Sequence, residues 1–124
     1  MTDKVLCIKF NTANPINMIK LTTNPADMVK DRWLHTKIDT LVQSNLAVLV
    51  YQQVIVAVVQ YDHQVRFKEI QTAAGNPSTR VQLTDAFNVS DDYSQWVGMK
   101  IDHPTTNPVT LISKDLIKRG KKID

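Results

Sequence analysis

Three histidines, His35, His63 and His103, are the residues best suited to proton transfer, and two of them directly follow an aspartate, as Asp62-His63 and Asp102-His103. A carboxylate that orients an imidazole is the centre of many general-base arrangements. Neighbours on an extended strand point to opposite faces, so neither pair bonds readily within itself. Both pairs also stand beside turn residues and read as solvated turn positions. No histidine has a cysteine or second histidine at zinc-ligand spacing, and no metal site is expected. Cys7 lies in the apolar run Val5-Leu6-Cys7-Ile8, where a thiol is expected to be buried and inert. No serine sits in a Gly-x-Ser-x-Gly context, and Gly75, Gly98 and Gly120 form no phosphate-cradling loop. Glu69 is the sole glutamate, and Asp91-Asp92 is the one close pair of acids. A magnesium-dependent nuclease needs a tighter cluster. The sequence therefore predicts no catalytic residue and no cofactor.

Aromatic and basic residues offer a different chemistry. Trp33 and Trp96 could wall a base-stacking pocket, because every base presents a π-face. Arg32, beside Trp33, could pair with a phosphate or a base edge. Tyr61 is a fourth pocket candidate. Core packing competes for both tryptophans, and a plain surface role competes for Arg32. The formal charge of +3 is unevenly placed. Residues 114–124 hold five basic and two acidic side chains, and the preceding residues hold ten of each. Lys118, Arg119, Lys121 and Lys122 are thus candidate contacts to a nucleic-acid backbone. The chain from about Gly120 is expected to be mobile, having little apolar surface to offset its ordering entropy.

Several elements must position these groups. Val5 to Phe10 reads as a strand with Val5, Cys7 and Lys9 on one face and Leu6, Ile8 and Phe10 on the other. Asn24-Pro25-Ala26-Asp27 reads as a helix start, with Asn24 as cap, Pro25 at the first position and Asp27 favourable to the helix dipole. Ala26, Val29 and Trp33 would share its apolar side. A second short helix starts near Thr36, with Ile38, Leu41 and Val42 as its stripe and Asn45 as a left-handed terminator. Residues 46–51 and 54–59 are β-branched runs that predict a central hairpin buried on both faces. Gln52-Gln53 is a poor tight turn, so a longer loop is expected. Further strands are expected at 65–70, 80–83, 95–101 and 109–113, with loops at 73–78, 88–94 and 103–108.

At 124 residues, 43% hydrophobic and 22% charged, the chain has the makeup of one folded domain spanning 1–124, with a short basic tail at 114–124. A single cysteine excludes an intrachain disulfide and fits a reducing compartment. The Met-Thr-Asp-Lys start precedes only about five apolar residues, too few for a signal-peptide core. The apolar run at 54–59 is too short to cross a membrane. The cytoplasm is the expected location.

The order of features is similar to that of PUA-like barrel domains, small β-barrels found in bacterial and phage proteins. The residues that carry the likeness are Arg32-Trp33 after a helical segment, a second short helix, and the apolar hairpin at 46–61. Trp-Val-Gly-Met-Lys at 96–100 and Asn-Pro-Val at 107–109 complete it. The likeness covers roughly residues 28–113, although Gln52-Gln53 stand where the family usually has glycine. It implies a pseudo-barrel that binds RNA or holds a modified DNA base.

The sequence therefore predicts an α+β fold: a small curled β-sheet or PUA-like pseudo-barrel, with one or two short helices inserted after the first strand. The expected function is a non-enzymatic binding module for nucleic acid, RNA or DNA. Arg32, Trp33, Tyr61 and Trp96 would form its pocket. The alternative is a small protein-binding inhibitor or adaptor, such as a phage accessory protein, whose basic tail meets an acidic partner. A third reading is a nuclease-type enzyme using His63 or His103.

Overall fold

A computed structural model describes residues 4–10, 19, 21–31, 33–34, 36–103 and 108–122. Among these described residues, nine strands are assigned: β1 (Lys4–Phe10), β2 (Leu46–Tyr51), β3 (Val54–Tyr61), β4 (Val65–Gln71), β5 (Pro77–Leu83), β6 (Ala86–Asn88), β7 (Met99–Lys100), β8 (Val109–Ser113) and β9 (Lys121–Lys122). Three short helices accompany them: α1 (Pro25–Lys30), α2 (Ile38–Leu41) and α3 (Lys114–Lys118). A helical turn at 21–23 leads into α1. Seven strands form one mixed sheet in the order β8-β1-β2-β3-β7-β9, with β6 also paired to β3, and the sheet is curled into a half-barrel. The fold is thus the expected α+β curled sheet. Strands β4 and β5 form a separate two-stranded sheet.

The β-branched runs build the centre. β1 pairs in parallel with β2 and antiparallel with β8. Both faces of β1 to β3 are covered. Leu6, Ile8, Leu49, Val59 and Tyr61 face a core closed by Val29, Leu34, Leu41, Val81 and Leu83. Val5, Cys7, Val48, Ile55 and Val58 face a second core closed by Ile101, Ile112 and Ile117, with Tyr93 and Trp96 packed against it. The expected alternation of β1 is therefore observed. Burying apolar side chains contributes roughly 25 cal/mol per Å², and a sheet clad on both sides collects that term twice per strand.

The β2–β3 turn differs from expectation. Tyr51 pairs with Val54, so the loop is two residues long, and Gln52 and Gln53 both adopt positive φ, 50° and 66°. This is the twist that a tight hairpin demands. Glutamine adopts it at a cost of order 1 kcal/mol per residue. The Ile101 amide donates to the Gln53 carbonyl at 2.9 Å, and the flanking buried strands fix the register, which together hold the turn. Leu49 pairs with Ala57 and Val50 with Ile55, leaving Val56 as a bulge residue. Val56 and Ala57 consequently pack toward the same core.

Other local expectations are corrected as well. Pro25 does open α1, but Asn24 makes no side-chain cap. α2 is capped at Lys37, also without a side-chain bond, and ends at Val42 in right-handed conformation rather than at a left-handed Asn45. Within 95–101 only Met99–Lys100 is a strand. Residues 90–98 are turns, started by Ser90, whose amide is bonded by Asn88 Oδ1 at 3.0 Å and whose hydroxyl accepts from the Val58 amide at 2.9 Å. The C-terminal basic segment is ordered through Lys122. Ile117 of α3 is fully buried, and β9 pairs with β7. Gly120 permits this, because a Cβ there would collide with the Lys100 carbonyl.

A candidate nucleic-acid interface

Of the four pocket candidates, Arg32 lies outside the described residues, as does His35. Tyr61 is 1% exposed. Its hydroxyl donates to the Leu41 carbonyl at 2.6 Å, and burial pushes its pKa well above the ordinary tyrosine value. It is a core residue with a satisfied polar tip, closed to any ligand. Trp96 is half-buried, stacks obliquely on Tyr93 at 4.7 Å between centroids and packs on the Val5 side of the sheet. Trp33 adjoins Leu34, which belongs to the opposite core. The two tryptophans therefore stand on elements covering opposite faces of the central sheet and do not share a pocket.

Trp33 is not on the apolar side of α1 as expected. α1 ends at Lys30, with Asp31 as its C-cap, and Leu34 exchanges two backbone hydrogen bonds with Val81, at 2.6 and 2.9 Å. That bridge extends the chain along β5. Leu34 and Val81 point into the core, so alternation turns Trp33 outward. The β4–β5 register sets the rest of this face. Phe67 lies opposite Val81 and Val65 opposite Leu83, on the core side. Arg66, opposite Gln82, and Lys68, opposite Arg80, therefore project outward with Trp33. The ammonium of Lys68 stands 5.1 Å from the Trp33 ring centroid, a cation–π distance. Glu69 falls on the other face, so the outer face of the hairpin carries three cations and no carboxylate.

The terminal basic residues are arranged differently. Lys118 and Arg119 are exposed, and Arg119 Nε reaches back to the Asp115 carbonyl at 3.4 Å. Lys122 Nζ donates to the carbonyls of Ser94 (3.1 Å) and Val97. It ties β9 to the turn region instead of standing clear for a phosphate. Lys121 is exposed on the same short strand.

Among the described residues, Cys7, Thr110, His103 and Lys9 form one linked group. The Cys7 thiol is bonded by the Thr110 side chain, whose hydroxyl also meets His103 Nε2 at 2.8 Å. Lys9 donates to the His103 carbonyl. Burial nevertheless pushes the Cys7 pKa up to about 11, against a smaller downward pull from Lys9, and the neutral thiol is a poor nucleophile. The His103 pKa is lowered by burial and by Lys9. Among the described residues, no three His, Cys, Asp or Glu side chains are grouped to hold a metal, and no helix is long and apolar enough to cross a membrane.

An open cavity of about 910 Å³ lies between α2, the core side of the hairpin and β8, lined among others by Thr36, Lys37, Phe67, Thr79 and Leu111. Phe67 is 59% exposed there. Sequence reasoning overlooked Arg66, Phe67, Lys68 and Arg80. The alternation Arg66-Phe67-Lys68 was the available signal. Comparison of the chain with protein-family models, curated proteins and solved structures finds no match.

Proposed function

We propose that the protein is a non-enzymatic nucleic-acid-binding module whose contact surface is the outer face of the β4–β5 hairpin. One observation carries this reading: register places Arg66, Lys68 and Arg80 beside Trp33 on a single face without a carboxylate. Such a face meets two needs at once. Its cations track phosphates, and its indole offers a sequence-tolerant stacking platform. Phe67 is a second exposed ring, on the opposite face of the hairpin. The half-barrel sheet is compatible with a PUA-like architecture, and the reading belongs to a cytoplasmic setting.

The test is fluorescence anisotropy with labelled single-stranded RNA, single-stranded DNA and duplex DNA at several salt concentrations. For the Arg66→Ala, Lys68→Ala, Arg80→Ala triple variant, the slope of log K against log salt is expected to flatten by about 2–3, since each lost phosphate contact removes roughly 0.7–0.9. Trp33→Ala should weaken single strands more than duplex. Unchanged slopes in the triple variant, or binding to a protein partner with no nucleic-acid affinity, would overturn the proposal in favour of an adaptor.

A further inference from the structure

Lys68 and Arg80 stand directly opposite each other in the β4–β5 ladder. Side chains so placed are close neighbours on one face, and two like charges there work against the pairing. The two groups turn apart. The Lys68 ammonium leans over the Trp33 ring, 5.1 Å from its centroid. The Arg80 guanidinium bonds the Ser78 hydroxyl, two residues back along its own strand. Glu69 lies on the other face, opposite Thr79. Among the described residues, neither cation has a carboxylate partner.

The bridge from Leu34 to Val81 sets Trp33 beside Gln82, and Gln82 lies opposite Arg66. One row of the face therefore runs Trp33, Gln82, Arg66, and the next holds Arg80 and Lys68. Such rows are two residues, or about 7 Å, apart along a strand. That is a span one nucleotide covers from its phosphate to its base. Lys68 is exposed and Trp33 partly so, and the ammonium covers one π-face of the ring. A base that stacks on this face must displace it.

We infer that Trp33, Lys68 and Arg80 form a subsite for one nucleotide of a single strand, in which the base replaces the Lys68 ammonium on Trp33 and the phosphate settles between Lys68 and Arg80. The inference rests on the hairpin reading and adds to it the class of strand and an exchanging side chain. A base inside a duplex is stacked on both sides and has no face to offer. Stacking on an aromatic is worth roughly five- to 150-fold in affinity. The exposed cation–π contact that it replaces is worth about two- to fivefold. The released ammonium gains a phosphate, and an anion between two opposed cations relieves their repulsion.

NMR of the full chain tests the exchange. The two tryptophans give separate indole N–H signals, assigned by the one lost in Trp33→Phe. The probes are an oligothymidylate, an abasic strand of equal length, and the oligothymidylate–oligoadenylate duplex. Oligothymidylate is expected to shift the Trp33 signal saturably and to leave Trp96, which packs on the other face of the central sheet, unmoved. The Lys68 methylene protons beside the ammonium, shielded by the indole in the free protein, should lose that shielding in the same titration. The abasic strand and the duplex should leave the Trp33 signal in place. Lys68→Gln removes a phosphate contact but uncovers the ring, and at an exposed position it should melt with the parent. Its slope of log K against log salt for oligothymidylate should flatten by about 0.7. Its line should cross the parent's, with affinity about two- to fivefold higher at high salt. Lines that never cross, Lys68 protons still shielded in the complex, or equal Trp33 shifts with duplex would overturn the inference. A Trp33 signal unmoved by a strand whose salt slope still depends on Arg66, Lys68 and Arg80 would overturn it and keep the hairpin reading. Failure of all three probes to bind would overturn both.

Discussion

The strands β1 to β3 and the hairpin β4–β5 are of similar length but take opposite roles. In the first group most side chains are buried and only Lys4 and Gln60 are exposed, because a layer packs on each face. In the second, β4 has no fully buried residue, and β5 buries only Val81 and Leu83. A strand buried on both sides has no position left for recognition. A strand with one free face can carry charge at no cost to the core. The difference separates the part of the molecule that provides stability from the part able to meet a ligand.

The sharpest way to break this contrast is a buried charge. Val58 of β3 is fully buried, and Val58→Asp should abolish the cooperative melt, since an unpaired buried charge costs several kcal/mol against a typical stability of about 5–15. A soluble variant with unchanged melting temperature, followed by circular dichroism, would show that β3 is not central. Cys7 gives a titration of the same core. Its folded pKa of about 11 stands above its ordinary 9.0. Stability from the neutral thiol is therefore complete below about pH 9 and is lost as pH rises through about 11, by about 2–3 kcal/mol. Denaturant melts of the parent and Cys7→Ala across that window should differ in slope.

A smaller effect is expected at Tyr61. Tyr61→Phe strands the buried Leu41 carbonyl and should cost about 1–2 kcal/mol, while leaving any nucleic-acid affinity untouched. Loss of affinity without loss of stability would restore Tyr61 to a ligand site. Replacing Gln52-Gln53 by Asn-Gly should raise stability by about 1 kcal/mol, because those residues accept positive φ more readily. The least change is expected on the hairpin. Removing Arg66, Lys68 and Arg80 should move stability by no more than about 0.5 kcal/mol each, and a large drop in melting temperature would make that face structural.

Much of the centre was legible from composition of short runs. β-Branched residues at 46–51 and 54–61 announced strands buried twice over, and alternation in 5–10 assigned both faces of β1 correctly. What escaped was set by partners distant in sequence. Trp33 continues an apolar helical spacing from Val29, yet Leu34 bonds to Val81 and turns the indole outward. Gln52-Gln53 has the wrong local preference for its turn, and the Ile101 amide together with two buried strands overrides it. Residues 95–98 look like part of a strand, but Ser90 is spent on β3 and winds the segment into turns that cover the second core. The site was obscured for the same reason: Arg66, Lys68 and Arg80 become one face only when β4 and β5 are laid in register.

The parallel placement of β1 beside β2, with β8 on its other edge, has a consequence for biosynthesis. β1 leaves the ribosome first among the strands, and its β8 neighbour leaves only after all the others except β9. Throughout that interval one edge of an apolar strand stands open, a template for pairing with any passing chain. The nascent protein is thus most vulnerable just before residues 109–113 emerge, and a stalled or prematurely ended chain would be an aggregating species rather than a smaller working one.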